Sequence, residues 1–413
     1  MSSKPHTADV RMHGFARRSE VRDVLAWIDA NAHRLPGESV SVEDAADRVL
    51  SADVIAPIAV PAFDRAAMDG YALRGAETAG ASEYNPIAFP VLGQALPGQP
   101  FAGAVPPGAA IRIMTGAPVP QEIDAVVPAE YASEVEGRIE ITRPVAPWQH
   151  IGRTGEDVAL GAAALAAGRR LRPQDVGLVA SLGIAQVEVV RRPKVRLLVT
   201  GNEVVAPGRP KGPYEIYDAN SYTLRGLIAR DGAVLESHQR LGDDPEAITA
   251  ALRAPSADVI LVSGGSSVGT EDHAPQLVAD LGELAIHGVA MRPSSPAGAG
   301  RIGAALVFLV PGNPVSCLCA YDFFAGRAIR VLGGRPADWP HRRRQATVAR
   351  KIVSAVGRVD YFRVRLVDRE VEPLALSGAS MLSSTTRADG FVIVPGESEG
   401  YGPGAEVTVY LYD

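Results

Sequence analysis

Four short loops in the middle of the chain hold the residues best suited to chemistry. The apolar run "LLVT" ends in Gly201, Asn202 and Glu203, and "ESHQRL" ends in Gly242, Asp243 and Asp244. "VILVS" leads into Gly264, Gly265, Ser266, Ser267, Val268 and Gly269, with Glu271 and Asp272 just beyond. "VFLV" leads into Pro311, Gly312, Asn313, Pro314, Val315 and Ser316. Glycines let backbone N–H groups converge on an anion at a helix start, where the helix dipole adds attraction. Glu203, Asp243 and Asp272 on neighbouring loops would repel one another unless a cation sat among them. Oxygen ligands of this kind suit Mg²⁺, which often bridges to a substrate phosphate. Together the loops point to a phosphorylated ligand held with a hard metal. Plainer readings stand beside this one: Asp243 and Asp244 before Pro245 also suit a helix cap, and Glu203 alone suits a turn. Neither a dinucleotide-binding GxGxxG nor a Walker A pattern occurs at these strand ends.

The elements that must position these loops read as alternating strands and helices from Pro193 to about Gly334. That pattern predicts a doubly wound, mostly parallel α/β sheet, whose ligands bind at the carboxyl ends of the strands. Upstream, Ser19 to Arg34 carries apolar residues Val21, Val24, Leu25 and Ile28 on one helical face. Val42 to Val49 reads as a shorter helix capped by Ser41, and "RPQDVGLVASLGI" as a helix from near Pro173 to Gly183. Residues 51–147 are rich in Pro, Gly and short apolar runs, the texture of a β-rich segment. After Gly334 short strands return and suggest a small closed β-structure.

Composition excludes several classes. Apolar residues make up 46% and charged residues 21% of 413, the balance of a multidomain globular chain. With a formal charge of -6, and with Arg342, Arg343 and Arg344 as the densest basic run, nucleic acid is a poor partner. Cys317 and Cys319, two apart on a predicted helix, cannot pair with each other. The polar N-terminus (Lys4, His6, Asp9, Arg11) and the lack of any long apolar run predict a cytoplasmic protein that does not enter a membrane.

Seven segments carry a resemblance to one family. "PAFDRAAMDGYALR" (61–74), "IRIMTGAPVPQEIDAVVPAE" (111–130), "GRTGEDV" (152–158), "TGNEVV" (200–205), "YDANSYTL" (217–224), "GGSSVG" (264–269) and "PGNPVS" (311–316) follow in family order. The chain therefore resembles MoeA and the E domain of gephyrin from about residue 15 to 410. The resemblance implies an α/β multidomain fold with four parts. An elongated N-terminal helical domain links residues 1–50 and 148–188. A β-rich domain is inserted at 51–147, a MogA-like α/β domain spans 189–334, and a C-terminal β-barrel spans 335–413. It implies a homodimer, an expectation strengthened by the poor apolar core that the sequence predicts for the inserted domain. The implied reaction takes adenylyl-molybdopterin and molybdate with Mg²⁺ and releases molybdenum cofactor and AMP. A MogA-like adenylyltransferase is the implied partner.

Carried over position by position, the family's catalytic residues match Asp64, Thr115, Asp157, Glu203, Asp243, Asp272 and Arg292, with Asp69 beside them. Glu203, Asp243 and Asp272 are the candidate metal ligands. The candidate substrate-binding residues are Gly264, Gly265, Ser266, Ser267, Gly269, Pro311, Gly312, Asn313, Pro314, Ser316, Ser295 and Arg387. The chain departs from the family at "MRPSSP" (291–296). Arg292 stands for one lysine of a Lys-Pro-Gly-Lys-Pro segment, Ser295 for the second, and Gly288 for a lysine upstream. Asn202 replaces an aspartate. Arg153, Arg363 and Arg365 are further cations that could compensate. The missing lysines leave a second reading open, a weakly active or inactive relative that binds pterin or acts as a scaffold.

Overall fold

The computed structural model describes residues 18–266, 272–375 and 378–412. The chain divides into two compact units, residues 39–189 and the remainder.

In the larger unit, Lys194–Val199, Val259–Ser263 and Ala305–Val310 are apolar and almost wholly buried, as strands covered on both faces must be. They pair in parallel, and Val234–Arg240 adds a fourth parallel strand at one edge. Two antiparallel strands, Gly298–Ile302 and Glu283–His287, complete the other edge. The sequence pattern did not signal these two, so the sheet is mixed rather than purely parallel. Side chains alternate between faces. Val195, Leu197 and Val199 pack with Leu224, Ile228 and Ile329 in one cluster. Leu198, Ile260 and Val262 pack with Ile248, Leu252 and Val278 in another.

The N-terminal helix forms over Val21–Asn31, and its buried face of Val21, Val24 and Ile28 joins the first of these clusters. Nearby, Leu35 N–H donates to the Leu332 carbonyl at 2.9 Å. The long helix after the Pro311–Pro314 loop is one helical run from Pro314 to Leu332, with a π-helical stretch over Tyr321–Ala325.

The C-terminal strands close on themselves. Val359–Val367 pairs with both Glu370–Ala375 and Gly390–Val394, and Glu406–Leu411 links Gly390–Val394 to Arg343–Val348. The ring is completed by Arg343–Val348 against Glu370–Ala375, giving a small barrel. The short strand Met291–Arg292 pairs in parallel with Val359–Asp360 and ties the 291–296 segment to the barrel.

The smaller unit corrects the expectation of an elongated N-terminal helical domain. Outside its six-stranded sheet it consists mainly of short strands, including Val54–Ile55 against Ala163–Leu165, around a single α-helix, Pro173–Ser181. The helix expected over Val42 to Val49 is a three-residue 3-10 turn, Val42–Asp44. The chain leaves that turn at Asp47 with φ 68. It then runs extended, so that Leu50 N–H donates to the Arg169 carbonyl at 3.0 Å. Ala45 and Leu50 are buried by this path, and that tertiary burial outweighs the helical pattern. The six-stranded sheet runs in the order Ala125–Pro128, Gly70–Leu73, Ala110–Ile113, Ile87–Ala95, Arg138–Ile141, Ala132–Val135. It carries an apolar cluster on each face, Ile111, Ile113 and Val126 on one and Leu73, Val127 and Ile139 on the other. The expectation of a poor core in this region is therefore also corrected. Among the described residues no helix is long and apolar enough to cross a membrane.

Candidate functional site

The carboxyl ends of the four parallel strands open into a cleft of about 680 Å³. It is lined by Thr200, Gly201, Glu203, Asp218, Asn220, Asp243, Gly264, Gly265, Ser266, Asp272 and Pro311–Pro314, together with Ser380 from the barrel. Every strand-end loop singled out in the sequence therefore contributes to one cavity. Ser267, Gly269 and Glu271 lie outside the described residues.

Local geometry explains why these loops need their residue types. Gly264 and Gly265 have φ of 94 and 55. A Cβ on Gly264 would stand 2.6 Å from the Thr200 carbonyl oxygen, so the loop after one strand lies directly on the loop after its neighbour. Gly312 packs beside Gly264, its built Cβ at 3.6 Å. Asn202 and Asp243 exchange hydrogen bonds: Asn202 N–H donates to the Asp243 carboxylate and Asp243 N–H to the Asn202 amide oxygen, both at 3.1 Å. Asp244, not Asp243, caps the following helix by accepting from Glu246 N–H at 2.9 Å. The helix cap and the cleft residue are thus adjacent but separate.

Two residues of the "YDANSYTL" segment organise the floor and were given no role from sequence. Asn220 donates from one amide nitrogen to Ser263 Oγ at 3.0 Å and to the Gly312 carbonyl at 2.8 Å, tying two ligand loops together. Asp218 is buried, accepts from Ser221 N–H at 3.0 Å and from Ser221 Oγ–H at 2.5 Å, and lies 3.6 Å from both His238 and Arg240. Burial lowers the His238 pKa, an effect that Asp218 opposes. The only signal in the sequence was the Asp-x-Asn-Ser pattern at a helix start. Behind the loops, Cys317 lies 3.8 Å from Ser263, and burial pushes its thiol up to about 12.

Glu203, Asp243 and Asp272 all line the cleft. Among the described residues, however, no group of three or more His, Cys, Asp or Glu side chains is gathered closely enough to hold a metal by itself. The donor set still suits Mg²⁺, which commonly binds through one or two carboxylates and completes its shell with water and substrate phosphate.

A second cavity of about 400 Å³ shares Pro296, Pro311 and Asn313 with the first. Its lining includes Arg292, Ser294, Ser295, Ser316, Arg358, Asp360 and Arg363. Arg292 does not project as an isolated cation. Its Nε donates to Asp360 at 3.0 Å, and a terminal nitrogen donates to the other oxygen of the same buried carboxylate. Arg387 is exposed at the end of the Ser383–Thr386 turn and is not part of either lining.

Asp64, Asp69, Thr115 and Asp157 belong to the smaller unit. Asp64 accepts from both N–H and Oγ–H of Thr154 at 2.7 Å, and Asp69 from N–H and Oγ–H of Thr115 at 2.7 and 2.6 Å. These bonds hold both carboxyl groups below their ordinary range, led by the Thr154 backbone for Asp64 and the Thr115 hydroxyl for Asp69. Asp157 is exposed on the neighbouring turn, and Arg153 lies over the Trp148 ring at 4.3 Å.

Fold and clefts define a multidomain α/β protein with an open cleft at the carboxyl ends of the parallel strands of a mixed sheet. Family profiles match nearly the whole chain: "MoeA N-terminal region (domain I and II)" over 19–183, "Probable molybdopterin binding domain" over 196–330, and "MoeA C-terminal region (domain IV)" over 345–412. Molybdopterin molybdenumtransferase 2 of Mycobacterium tuberculosis is 34% identical over 388 residues, covering 90% of this chain and 94% of its own. The molybdopterin molybdenumtransferase of Haemophilus influenzae is 33% identical, covering 90% and 93%. The crystal structure of the molybdopterin biosynthesis MoeA protein from Pyrococcus horikoshii superposes with a TM-score of 0.83 at 32% identity, covering 96% of this chain and all of that one. The chain belongs to the MoeA family and, with it, to the transferases of molybdenum cofactor biosynthesis.

Proposed function

We propose that the chain inserts molybdenum from molybdate into adenylyl-molybdopterin and releases AMP, in the cytoplasm and with Mg²⁺. The observation that carries this reading is the convergence of all four strand-end loops on one cleft, beside a second cavity bearing arginines. The backbones of Gly264–Ser266 and Pro311–Pro314 suit the pterin phosphate, because the first turns on two glycines with positive φ and the second, with N–H groups at Gly312 and Asn313, runs into the helix that starts at Pro314. The second cavity, sharing a ridge of Pro296, Pro311 and Asn313, suits the oxyanion. Glu203, Asp243 and Asp272 would hold Mg²⁺ against the phosphoanhydride. When bound, the ion supplies charge neutralisation on the bridging oxygens. Asn220 keeps the two phosphate-facing loops in register, and the Asn202–Asp243 exchange sets the opposite wall.

The resemblance also supports a homodimer, in which Asp64, Thr115 and Asp157 of one subunit serve the cleft of the other. Exposed apolar residues in the smaller unit, including Ile55 and Leu160 beside the Val54–Ile55 strand, favour burial against a second copy. A MogA-like adenylyltransferase would supply the adenylylated pterin.

The test is to incubate the protein with adenylyl-molybdopterin and Mg²⁺, with and without molybdate, and to measure AMP. Molybdate-dependent AMP release is expected. Tight pterin binding without release under any molybdate concentration would instead favour a binding or scaffold role, the reading that the neutral residues Gly288 and Ser295 make worth testing.

A further inference from the structure

The second cavity is bordered by three guanidinium groups, Arg292, Arg358 and Arg363, and one carboxylate, Asp360. Asp360 is buried, accepts from Ser354 Oγ–H at 2.6 Å and engages both arms of Arg292, so Arg292 is largely neutralised where it stands. Apart from Arg292, the segment Met291–Pro296 that lines one wall contributes only uncharged groups, with Ser294 and Ser295 its polar ones.

Another cation reaches this wall from the far end of the chain. Arg18 Nε donates to Ser295 Oγ at 2.8 Å, across 277 positions of sequence. The backbone beside Arg18 is fixed. Ser19 N–H donates to the Gly288 carbonyl at 3.0 Å, and Ala290 N–H donates to the Ser19 carbonyl at 2.8 Å. These bonds form a parallel bridge between Ser19 and Val289, and two residues later the chain enters the helix whose Val21 and Val24 are buried. Arg18 is therefore delivered to the cavity rim by paired backbone and an anchored helix. A hydroxyl that accepts from a guanidinium keeps its own proton for donation and is polarised to give it. Ser295 lines the cavity, so that proton and the Arg18 charge act on the same space.

We propose that Arg18 is an anion-recognition residue of this cavity, drawing a small tetrahedral dianion toward Ser295 both by its charge and through the Ser295 hydroxyl. This inference rests on the reading of the cavity as the oxyanion site. Arg18 is exposed, so its effect is screened by salt.

The experiment is calorimetric titration of the full-length protein with molybdate at low and high ionic strength, for the wild type, Arg18→Ala, Arg18→Lys, Ser295→Ala and the double variant Arg18→Ala with Ser295→Lys. Arg18→Ala should weaken binding about three- to fivefold at low salt and by less at high salt, the range expected of one exposed charge. Arg18→Lys should retain most of the affinity, and Ser295→Lys should restore it in the Arg18→Ala background. Ser295→Ala should weaken binding at both ionic strengths, through the lost hydroxyl. Unaltered melting temperatures are expected throughout. Unchanged affinity in Arg18→Ala alongside a wild type that binds molybdate would overturn the role of Arg18 alone, as would a loss that salt does not diminish. A wild type that binds no molybdate would overturn the oxyanion reading and this inference together.

Discussion

Arg292 shows how a residue chosen for its charge acquires a different meaning from its partner. From sequence it was one positive group in a neutral segment; in the fold its fork grips Asp360, whose side chain is 2% exposed. Removing Arg292 would leave a buried carboxylate unpaired, a loss of about 2–4 kcal/mol, below that of a fully buried pair because Arg292 is itself partly exposed. Arg292→Ala should unfold at lower denaturant than the wild type, and adding Asp360→Asn should recover part of the difference. Equal unfolding midpoints for Arg292→Ala and the wild type would show that the pair contributes little. At this scale the sequence announced residues whose type and local spacing are diagnostic: the glycines, the loop carboxylates and the Pro-Gly-Asn-Pro turn. It was silent on Asn220 and Asp360, because their partners lie 92 and 68 positions away. It was ambiguous on Asp243 and Asp244, which only the hydrogen bonds to Asn202 and Glu246 separate.

Elements were legible where the pattern was long and the local chemistry agreed with it. The helix Pro173–Ser181 begins with Pro at its first position, and the Asp175 carboxylate reaches back to Arg172 N–H at 2.9 Å. Arg172 and Arg169 also donate to Asp175, which lowers its pKa well below the usual carboxylate range, led by the Arg172 side chain. A carboxylate whose pKa falls on folding stabilises the native state fully above its unfolded pKa of about 3.9, and that contribution disappears as pH drops through the lower folded value. Asp175→Asn should therefore melt below the wild type at pH 7, with the gap narrowing as pH falls below about 4. A gap that stays constant from pH 7 to pH 3 would exclude this ionic contribution. The turn at Val42–Asp44 and the strand Glu283–His287 were illegible for a shared reason: each is short, and each is fixed by burial and edge pairing rather than by its own periodicity.

For the whole molecule, the proposed two-chain arrangement and the exposed apolar residues of the smaller unit lead to one solution measurement. Light scattering at micromolar concentration should return twice the chain mass, and a monomer with full molybdate-dependent turnover would contradict the shared site. The order of the chain has a further result for synthesis. The smaller unit, residues 39–189, interrupts the larger one. The helix Val21–Asn31 is made before the smaller unit, yet its apolar face packs in a cluster completed by Ile329 and Leu332. Those residues follow roughly 300 positions later, so at bacterial or eukaryotic translation speeds the helix waits about 15–60 s for its partners. During that interval residues 39–189 can already be complete while Val21, Val24 and Ile28 remain uncovered. The nascent chain thus carries a finished unit preceded by an uncovered apolar helix face, so aggregation during synthesis should fall when that face is made polar, for example by Val24→Ser, even though the finished fold is weakened.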